Sequence, residues 1–131
     1  SYAEQTGMHR VPEYPIVRAW GTVLPAAGYQ TSHIHPLGCL SGVYYAQLPD
    51  DMSGTERHDG WIEFGAPPPR YSVAEPPVGR RIEPQEGRLL IFPSYFHHRT
   101  LPFTSSESRI SIAFDVVPCA IPVPQLKYSI D

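Results

Sequence analysis

The sequence predicts a single all-β domain built as a barrel or a sandwich, and three observations lead to this prediction. The chain of 131 residues contains 16 prolines, so few stretches are long enough for an ordinary helix. Several short segments instead combine β-branched and aromatic residues with turn-forming ends. About eight such segments are typical of barrels and sandwiches. A chain of this size buries enough surface for one core, and residues 1–131 are treated as one domain.

Three strands are predicted in the first half of the chain. Val17–Leu24 is rich in β-branched and aromatic residues and ends at a proline, and turn residues at 36–38 separate Tyr29–His35 from Leu40–Leu48. Side chains alternate between the two faces of a strand. The expected shared faces are Tyr29, Thr31, His33 and His35 in the second strand, and Ser41, Val43 and Tyr45 in the third.

From residue 60 onwards the sequence predicts three strands and two brief extended pieces. Gly60–Phe64 is a short strand, and the extended pieces are Tyr71–Val73 and Arg80–Ile82. Arg88–Phe92 follows a turn, and Ser108–Val117 is the cleanest alternating segment in the chain. The two sides of that last segment are Arg109, Ser111, Ala113 and Asp115 on one, and Ile110, Ile112, Phe114 and Val116 on the other.

The apolar side of Ser108–Val117 poses a packing problem. It cannot face the same interior as Arg109, and the sequence contains no amphipathic helix suited to cover it. We therefore expect an N-terminal segment of a longer parent protein, or a second subunit as in a homodimer, to cover it. Gel filtration that gives a well-behaved monomer with no exposed apolar patch would contradict this expectation.

Composition and charge exclude several classes of function. Lys and Arg number 10, Asp and Glu number 13, and the basic residues are scattered, so nucleic-acid binding is not expected. No apolar run approaches the roughly 18 residues that span a bilayer, and we expect a cytoplasmic protein without membrane contact. Cys39 and Cys119 form no CxxC pair and are expected to be structural thiols.

An H-x-H pattern suggests a metal site. His33 and His35 present two imidazoles to the same side of an extended chain, and a ligand from a distant strand would complete a facial set suited to non-haem iron. An exposed, His-rich strand would show the same pattern. Further along lie His98 and, after ten intervening residues with room for a strand and a loop, Arg109-Ile110-Ser111.

Together these motifs resemble a known signature. The order H-x-H, 62 intervening residues, H, ten intervening residues and R-x-S is similar to that of the 2-oxoglutarate and iron(II)-dependent oxygenases. The strings HIHP, SGVYY and GRLLIFPS further resemble a bacterial and phage branch of this superfamily. A looser similarity to prolyl hydroxylases runs over the same span, about Trp20 to Val117. The resemblance implies a double-stranded β-helix, also described as a jelly-roll or cupin-like barrel.

The resemblance also implies roles for individual residues. His33 and His98 match the two iron-binding histidines, and Arg109 matches the basic residue that pairs with the 5-carboxylate of 2-oxoglutarate, for which a planar guanidinium is suited. Ser111 can reach the same carboxylate, and Tyr45 matches a co-substrate-binding tyrosine of prolyl hydroxylases. For these last two residues, a barrel-lining position with a local hydrogen bond is the alternative.

Two positions leave alternatives open. Most of the superfamily has Asp or Glu where this chain has His35, so the third ligand would be neutral and the ligand set one negative charge short. Three-histidine iron sites are typical of cupin dioxygenases, although this chain lacks their usual Glu after H-x-H. His97 competes with His98 for the metal, and the spacing to Arg109 favours His98.

The resemblance therefore implies an iron(II)- and 2-oxoglutarate-dependent dioxygenase that hydroxylates an unidentified small-molecule or peptide substrate, with release of succinate and carbon dioxide. The predicted metal-binding and catalytic residues are His33, His35 and His98, and the predicted co-substrate site is Arg109, Ser111 and Tyr45. The alternatives are a three-histidine cupin-like dioxygenase that needs no 2-oxoglutarate and a β-barrel binding module without functional metal.

Overall fold

Two four-stranded antiparallel sheets face each other in a computed structural model that describes residues 15–52, 56–68 and 79–118. The strands are β1 (Ile16–Leu24), β2 (Gln30–His33), β3 (Leu40–Gln47), β4 (Ile62–Phe64), β5 (Arg80–Ile82), β6 (Leu89–Pro93), β7 (His98–Thr100) and β8 (Arg109–Val117). A 3-10 turn of helix spans Asp50–Met52. The predicted all-β jelly-roll fold is confirmed. Among the described residues, no helix is long and apolar enough to cross a membrane.

The chain repeatedly crosses from one sheet to the other. Sheet I has the strand order β1-β8-β3-β6, and sheet II has the order β2-β7-β4-β5. These crossings bring residues that are distant in sequence into register. His33 of β2 lies opposite His98 of β7, and Leu24 of β1 lies opposite Arg109 of β8. The strand order thus brings the first and the last strand together around one interior.

The space between the sheets is apolar in one part and polar in another. The buried apolar side chains are Tyr45, Met52, Ile62, Phe92 and Phe103, and the buried polar ones include Ser41, Ser94, His98, Thr100, Arg109 and Ser111. The Phe92 ring contacts the rings of Phe64 and His98 at centroid distances of 4.9 and 4.8 Å. Since buried polar groups are costly unless they are paired, this concentration of them points to a functional site.

The outer face of sheet II is polar. Glu63 of β4 lies between Arg81 of β5 and Arg99 of β7, and both guanidinium groups donate hydrogen bonds to its carboxylate. Burial alone would raise the pKa of Glu63, but the hydrogen bonds and charges of the two arginines outweigh burial and lower the pKa.

The outer face of sheet I is apolar. The strand register places on it Val17, Ala19, Gly21, Val23, Leu40, Gly42, Tyr44, Leu89, Ile91, Pro93, Ile110, Ile112, Phe114 and Val116. None of these residues is charged, and Val17, Val23 and Ile91 are each about 60% exposed. The apolar face that the sequence led us to expect is therefore present. Its cover by an N-terminal segment or a second subunit stays a prediction.

The second strand differs from its prediction. It ends at His33, and His35 lies in the following loop, where its backbone N–H donates to the Ser94 carbonyl at 2.9 Å. The register shifts between Gln30 and His33, which is the mark of a bulge. The expected alternation therefore fails there, and Gln30 rather than Thr31 lines the interior beside His33.

The remaining strands agree with the sequence to within two residues at each end. The exception is β7, for which the sequence leaves room after His98 but sets no bounds. The extended pieces differ in outcome: Arg80–Ile82 is β5, whereas Tyr71–Val73 lies outside the described residues, as does Cys119.

Candidate functional site

Three imidazoles meet at one end of the space between the sheets. The rings of the register partners His33 and His98 have centroids 4.4 Å apart, and the His35 ring lies 5.2 and 5.1 Å from them. One nitrogen from each residue lies within 4.8 Å of the others. Imidazole nitrogens at this spacing can bind a single metal ion.

Backbone carbonyl groups orient two of the three rings. Nδ1 of His33 donates to the Thr31 carbonyl at 2.7 Å, and Nδ1 of His98 donates to the Phe96 carbonyl at 2.9 Å. A carbonyl oxygen only accepts, so Nδ1 carries the proton in both rings and Nε2 is the nitrogen left for a metal. Each carbonyl belongs to the residue two positions before its histidine, so the local backbone fixes the ring.

The third ring is oriented from a distant part of the chain. Nδ1 of His35 lies 2.6 Å from Oδ1 of Asp115, on the inner side of β8. Ser41 donates to the same oxygen at 2.6 Å, and its hydroxyl is 2.8 Å from that of Ser94. A carboxylate accepts from Nδ1, so His35 also presents Nε2.

Burial keeps His98 in the form that binds metals. Desolvation by burial lowers its pKa to about 4, and the electrostatic interactions with His33 and His35 act in the same direction. The hydrogen bond to Phe96 and the charge of Asp115 oppose this shift without cancelling it. Because only a neutral imidazole binds a metal ion, His98 is ready to do so throughout the neutral pH range.

A guanidinium group lines the same pocket as the three histidines. Arg109 is 2% exposed; it donates to the Ser111 hydroxyl at 3.3 Å, and its Nε has no hydrogen-bond partner. No carboxylate of the described residues forms an ion pair with it. Burial lowers the pKa of Arg109, against the opposing effect of Tyr45, but an arginine stays charged in proteins. This end of the pocket holds a buried cation that an anionic ligand would complete.

Tyr45 lies beside Arg109 rather than on the pocket wall. Its ring centroid is 5.1 Å from Cζ of Arg109, within reach of a cation–π contact, and Tyr45 is not among the residues that line the pocket. The side chain is fully buried, and burial raises the pKa of its hydroxyl, although the Arg109 guanidinium acts in the opposite direction. The predicted contact of Tyr45 with a co-substrate stays a prediction.

Sequence reasoning missed two residues of this site. The Trp20 ring stacks on His35 with the centroids 5.6 Å apart and an angle of 26° between the planes. Asp115 accepts a hydrogen bond from Nδ1 of the same histidine. The signal for Asp115 was available, because the alternation of β8 places it on one face with Arg109 and Ser111. Nothing in the sequence singles out Trp20.

Other candidates from the sequence lie outside the cluster. His98, and not His97, is the neighbour of the other two imidazoles. The backbone carbonyl of His97 accepts from Gly65 at 2.8 Å. Cys39 is exposed, and its thiol donates to the Val116 carbonyl at 3.2 Å. The structure thus brings together the three predicted metal ligands and places Arg109 and Ser111 in the same pocket.

The chain is similar to known proteins in sequence and in fold. A family model described as "Putative 2OG-Fe(II) oxygenase" matches residues 18–115. Similar solved structures include a Pseudomonas putida prolyl-4-hydroxylase, with a TM-score of 0.57 and 20% identity over 79% of this chain and 52% of that one. An oxidoreductase of the 2OG-Fe(II) oxygenase family from Burkholderia pseudomallei gives a TM-score of 0.58 and 12% identity over 90% of this chain and 49% of that one.

At these identities the two solved structures support the fold alone. The chain spans about half the length of each of them. A search of curated proteins found no match.

Proposed function

The chain belongs to the 2OG-Fe(II) oxygenase family, and from this premise we propose that it binds iron(II) and 2-oxoglutarate and hydroxylates a substrate. One observation carries the proposal: a single pocket is lined by three imidazoles and by a buried guanidinium that has no carboxylate partner among the described residues. A metal ion and a carboxylate would complete the bonding of these groups.

The donor set fits iron(II). Non-haem iron accepts imidazole nitrogens such as the three at one corner of the pocket. Three ligands on one face of the metal leave its other coordination positions open. Imidazole also suits zinc, copper and nickel, so geometry alone does not choose among these metals. Family membership favours iron.

The arginine end fits a dianionic co-substrate. Arg109 has an unpaired Nε and a geometry suited to two parallel hydrogen bonds with a carboxylate. The Ser111 hydroxyl, 3.3 Å from the Arg109 guanidinium, is placed to donate to the same carboxylate. Because Arg109 is desolvated, its pairing with an anion should be stronger than a pairing at the surface.

The residues of the pocket would have different roles in the reaction. Iron(II) with 2-oxoglutarate and oxygen supplies the oxidising power for hydroxylation of a C–H bond, with succinate and carbon dioxide as the other products. His33, His35 and His98 would hold the metal, and Arg109 would orient the co-substrate. Apolar side chains that line the same pocket, among them Val43, Ile62 and Phe92, would limit the access of water to the reacting groups.

One experiment separates the proposal from its alternatives. Purified protein is loaded anaerobically with iron(II), 2-oxoglutarate is added, and succinate is assayed after exposure to oxygen. We expect stoichiometric iron and succinate release that requires both oxygen and iron. Iron binding without any response to 2-oxoglutarate would favour a three-histidine cupin-like dioxygenase, and absence of iron binding would favour a binding module.

A further inference from the structure

A further inference concerns Asp115, to which no motif of the sequence assigns a role. We propose that Asp115 is a positioning residue for the metal centre: it fixes the tautomer of His35 and supplies, through that ring, a negative charge that three neutral imidazoles lack. The inference rests on the proposed function only in requiring a divalent metal at the histidines. It does not depend on 2-oxoglutarate.

The three imidazoles are not held in equivalent ways. His33 and His98 each donate to a carbonyl two residues earlier, so any sequence with this backbone would orient them. His35 lies beyond the end of β2 and donates instead to Asp115, 80 residues further along the chain. Without that acceptor, neither the ring orientation nor the tautomer of His35 is fixed by its own loop.

Asp115 is itself held in place by a directed chain of hydrogen bonds. The Ser41 hydroxyl donates to Oδ1 of Asp115, so the contact between Ser41 and Ser94 must have Ser94 as the donor. Both serines are almost fully buried. A Cβ atom at Gly38 would overlap the Ser94 hydroxyl, so glycine is needed for this packing. Such support is what a ligand-orienting carboxylate requires.

The charge of Asp115 gives the second part of the argument. Its side chain is 14% exposed, and its Oδ1 receives hydrogen bonds from two neutral donors, His35 and Ser41. Arg18 lies opposite it in the β1–β8 register but is exposed. A divalent cation on the far side of the His35 ring would be a close counter-charge. A carboxylate that accepts from a metal-binding imidazole raises the basicity of the ring and strengthens its bond to the metal.

Cobalt(II) binding tests the proposal without any turnover. The affinity for cobalt(II) is measured by calorimetry, and its visible absorption spectrum reports ligand geometry. Asp115→Ala should weaken cobalt(II) binding about 10- to 100-fold and alter the spectrum. Asp115→Asn retains an acceptor oxygen but loses the charge, so its loss should be smaller. Asp59→Asn, the same change at a buried carboxyl outside the pocket, should leave affinity and spectrum unchanged.

A double-mutant cycle tests whether Asp115 acts through His35. In a His35→Ala background, removal of the Asp115 carboxylate should cause little further loss of cobalt(II) affinity. An equal loss in both backgrounds would overturn the proposal. Ser41→Ala, a milder change, should weaken binding a few-fold in the wild-type background, and thermal unfolding curves identify any variant that fails to fold.

The outcomes separate this proposal from the proposed function. A folded Asp115→Ala variant whose cobalt(II) affinity lies within threefold of wild type overturns the role of Asp115 and leaves the oxygenase proposal intact. Wild-type protein that binds cobalt(II), depends on Asp115 and yet makes no succinate contradicts the oxygenase proposal alone. Wild-type protein that binds neither cobalt(II) nor iron(II) contradicts both.

Discussion

The two ends of the pocket are prepared for their ligands in opposite ways. At the histidine end, each Nδ1 is already hydrogen-bonded and His33 and His35 are partly exposed, so the fold alone organises the donors. At the arginine end, Arg109 is buried, has an unpaired Nε and forms no ion pair within the described residues. We therefore expect that metal binding does not require the co-substrate, whereas an anion would balance the buried charge at the arginine end.

Loss of one imidazole should have the largest effect and should be confined to the histidine end. His98→Ala removes one of three metal ligands, and we expect it to abolish stoichiometric iron(II) binding, measured anaerobically by metal analysis after desalting. His97→Ala is the matched control and should retain full binding. Stoichiometric iron in His98→Ala together with loss in His97→Ala would assign the ligand to His97 instead.

Loss of the guanidinium should separate the two ends. Arg109→Ala removes charge-assisted hydrogen bonds to a carboxylate, each worth about 1.5–3 kcal/mol, so 2-oxoglutarate affinity should fall on the order of 100-fold. Iron(II) affinity should change less than threefold, and calorimetry measures both. Arg57→Ala, at an exposed arginine outside the pocket, serves as the control. Equal losses of iron and co-substrate would mean that Arg109 is only structural.

Acid should affect the histidine end of the metal-free protein before it affects the arginine end. The pKa of His98 is about 4 in the fold against 6.5 for an ordinary histidine, so the unfolded chain binds more protons between these values. This contribution to stability is complete above pH 6.5 and is lost as the pH falls towards 4. We expect a loss of about 2 kcal/mol in the free energy of unfolding between pH 7 and pH 5.

Urea unfolding at a series of pH values measures this loss. His98→Asn removes the titrating group and should flatten the curve over the same range. Arg109 stays protonated throughout this window and contributes no slope. An equally steep curve for His98→Asn would contradict the assignment to His98.

The smallest effect should come from the hydroxyl beside Arg109. Ser111→Ala removes one hydrogen bond at the arginine end, worth about 1 kcal/mol, so 2-oxoglutarate affinity should fall about fivefold while iron(II) affinity is unchanged. Ser105→Ala, a buried serine outside the pocket, is the control. No change in 2-oxoglutarate affinity would favour the alternative, a local hydrogen bond within the barrel wall.

The alternation of side chains along the sequence predicted most of the fold. It predicted the arginine end of the pocket better than the histidine end. Alternation in β8 and β3 identified the inner face that carries Arg109, Ser111 and Tyr45, because a strand of eight or nine residues has a clear period. The strand β7 has three residues, which is too few for a period to appear. Its bounds depend on pairing with β2 and β4, and pairing is not visible in a single sequence.

The histidine end depends on contacts that no local pattern encodes. A bulge in β2 cancels the alternation that was expected to align His33 with His35, and the two rings still meet because His35 is fixed by Ser94 and Asp115. The H-x-H motif therefore led to the correct neighbours through an incorrect local geometry. Trp20 was missed for the same reason, since its stacking on His35 is a tertiary contact.

Successive side chains of β8 point alternately into the interior and onto the outer face of sheet I. This alternation restricts insertions and deletions within the strand. Arg109, Ser111 and Asp115 point inwards, and Ile112 and Phe114 point outwards. A one-residue insertion near Ala113 would leave the arginine end unchanged but turn the carboxylate that holds His35 out of the interior and a large apolar side chain into it. Within β8 a residue can therefore be replaced, but adding or deleting one would exchange the inner and outer side chains beyond that point.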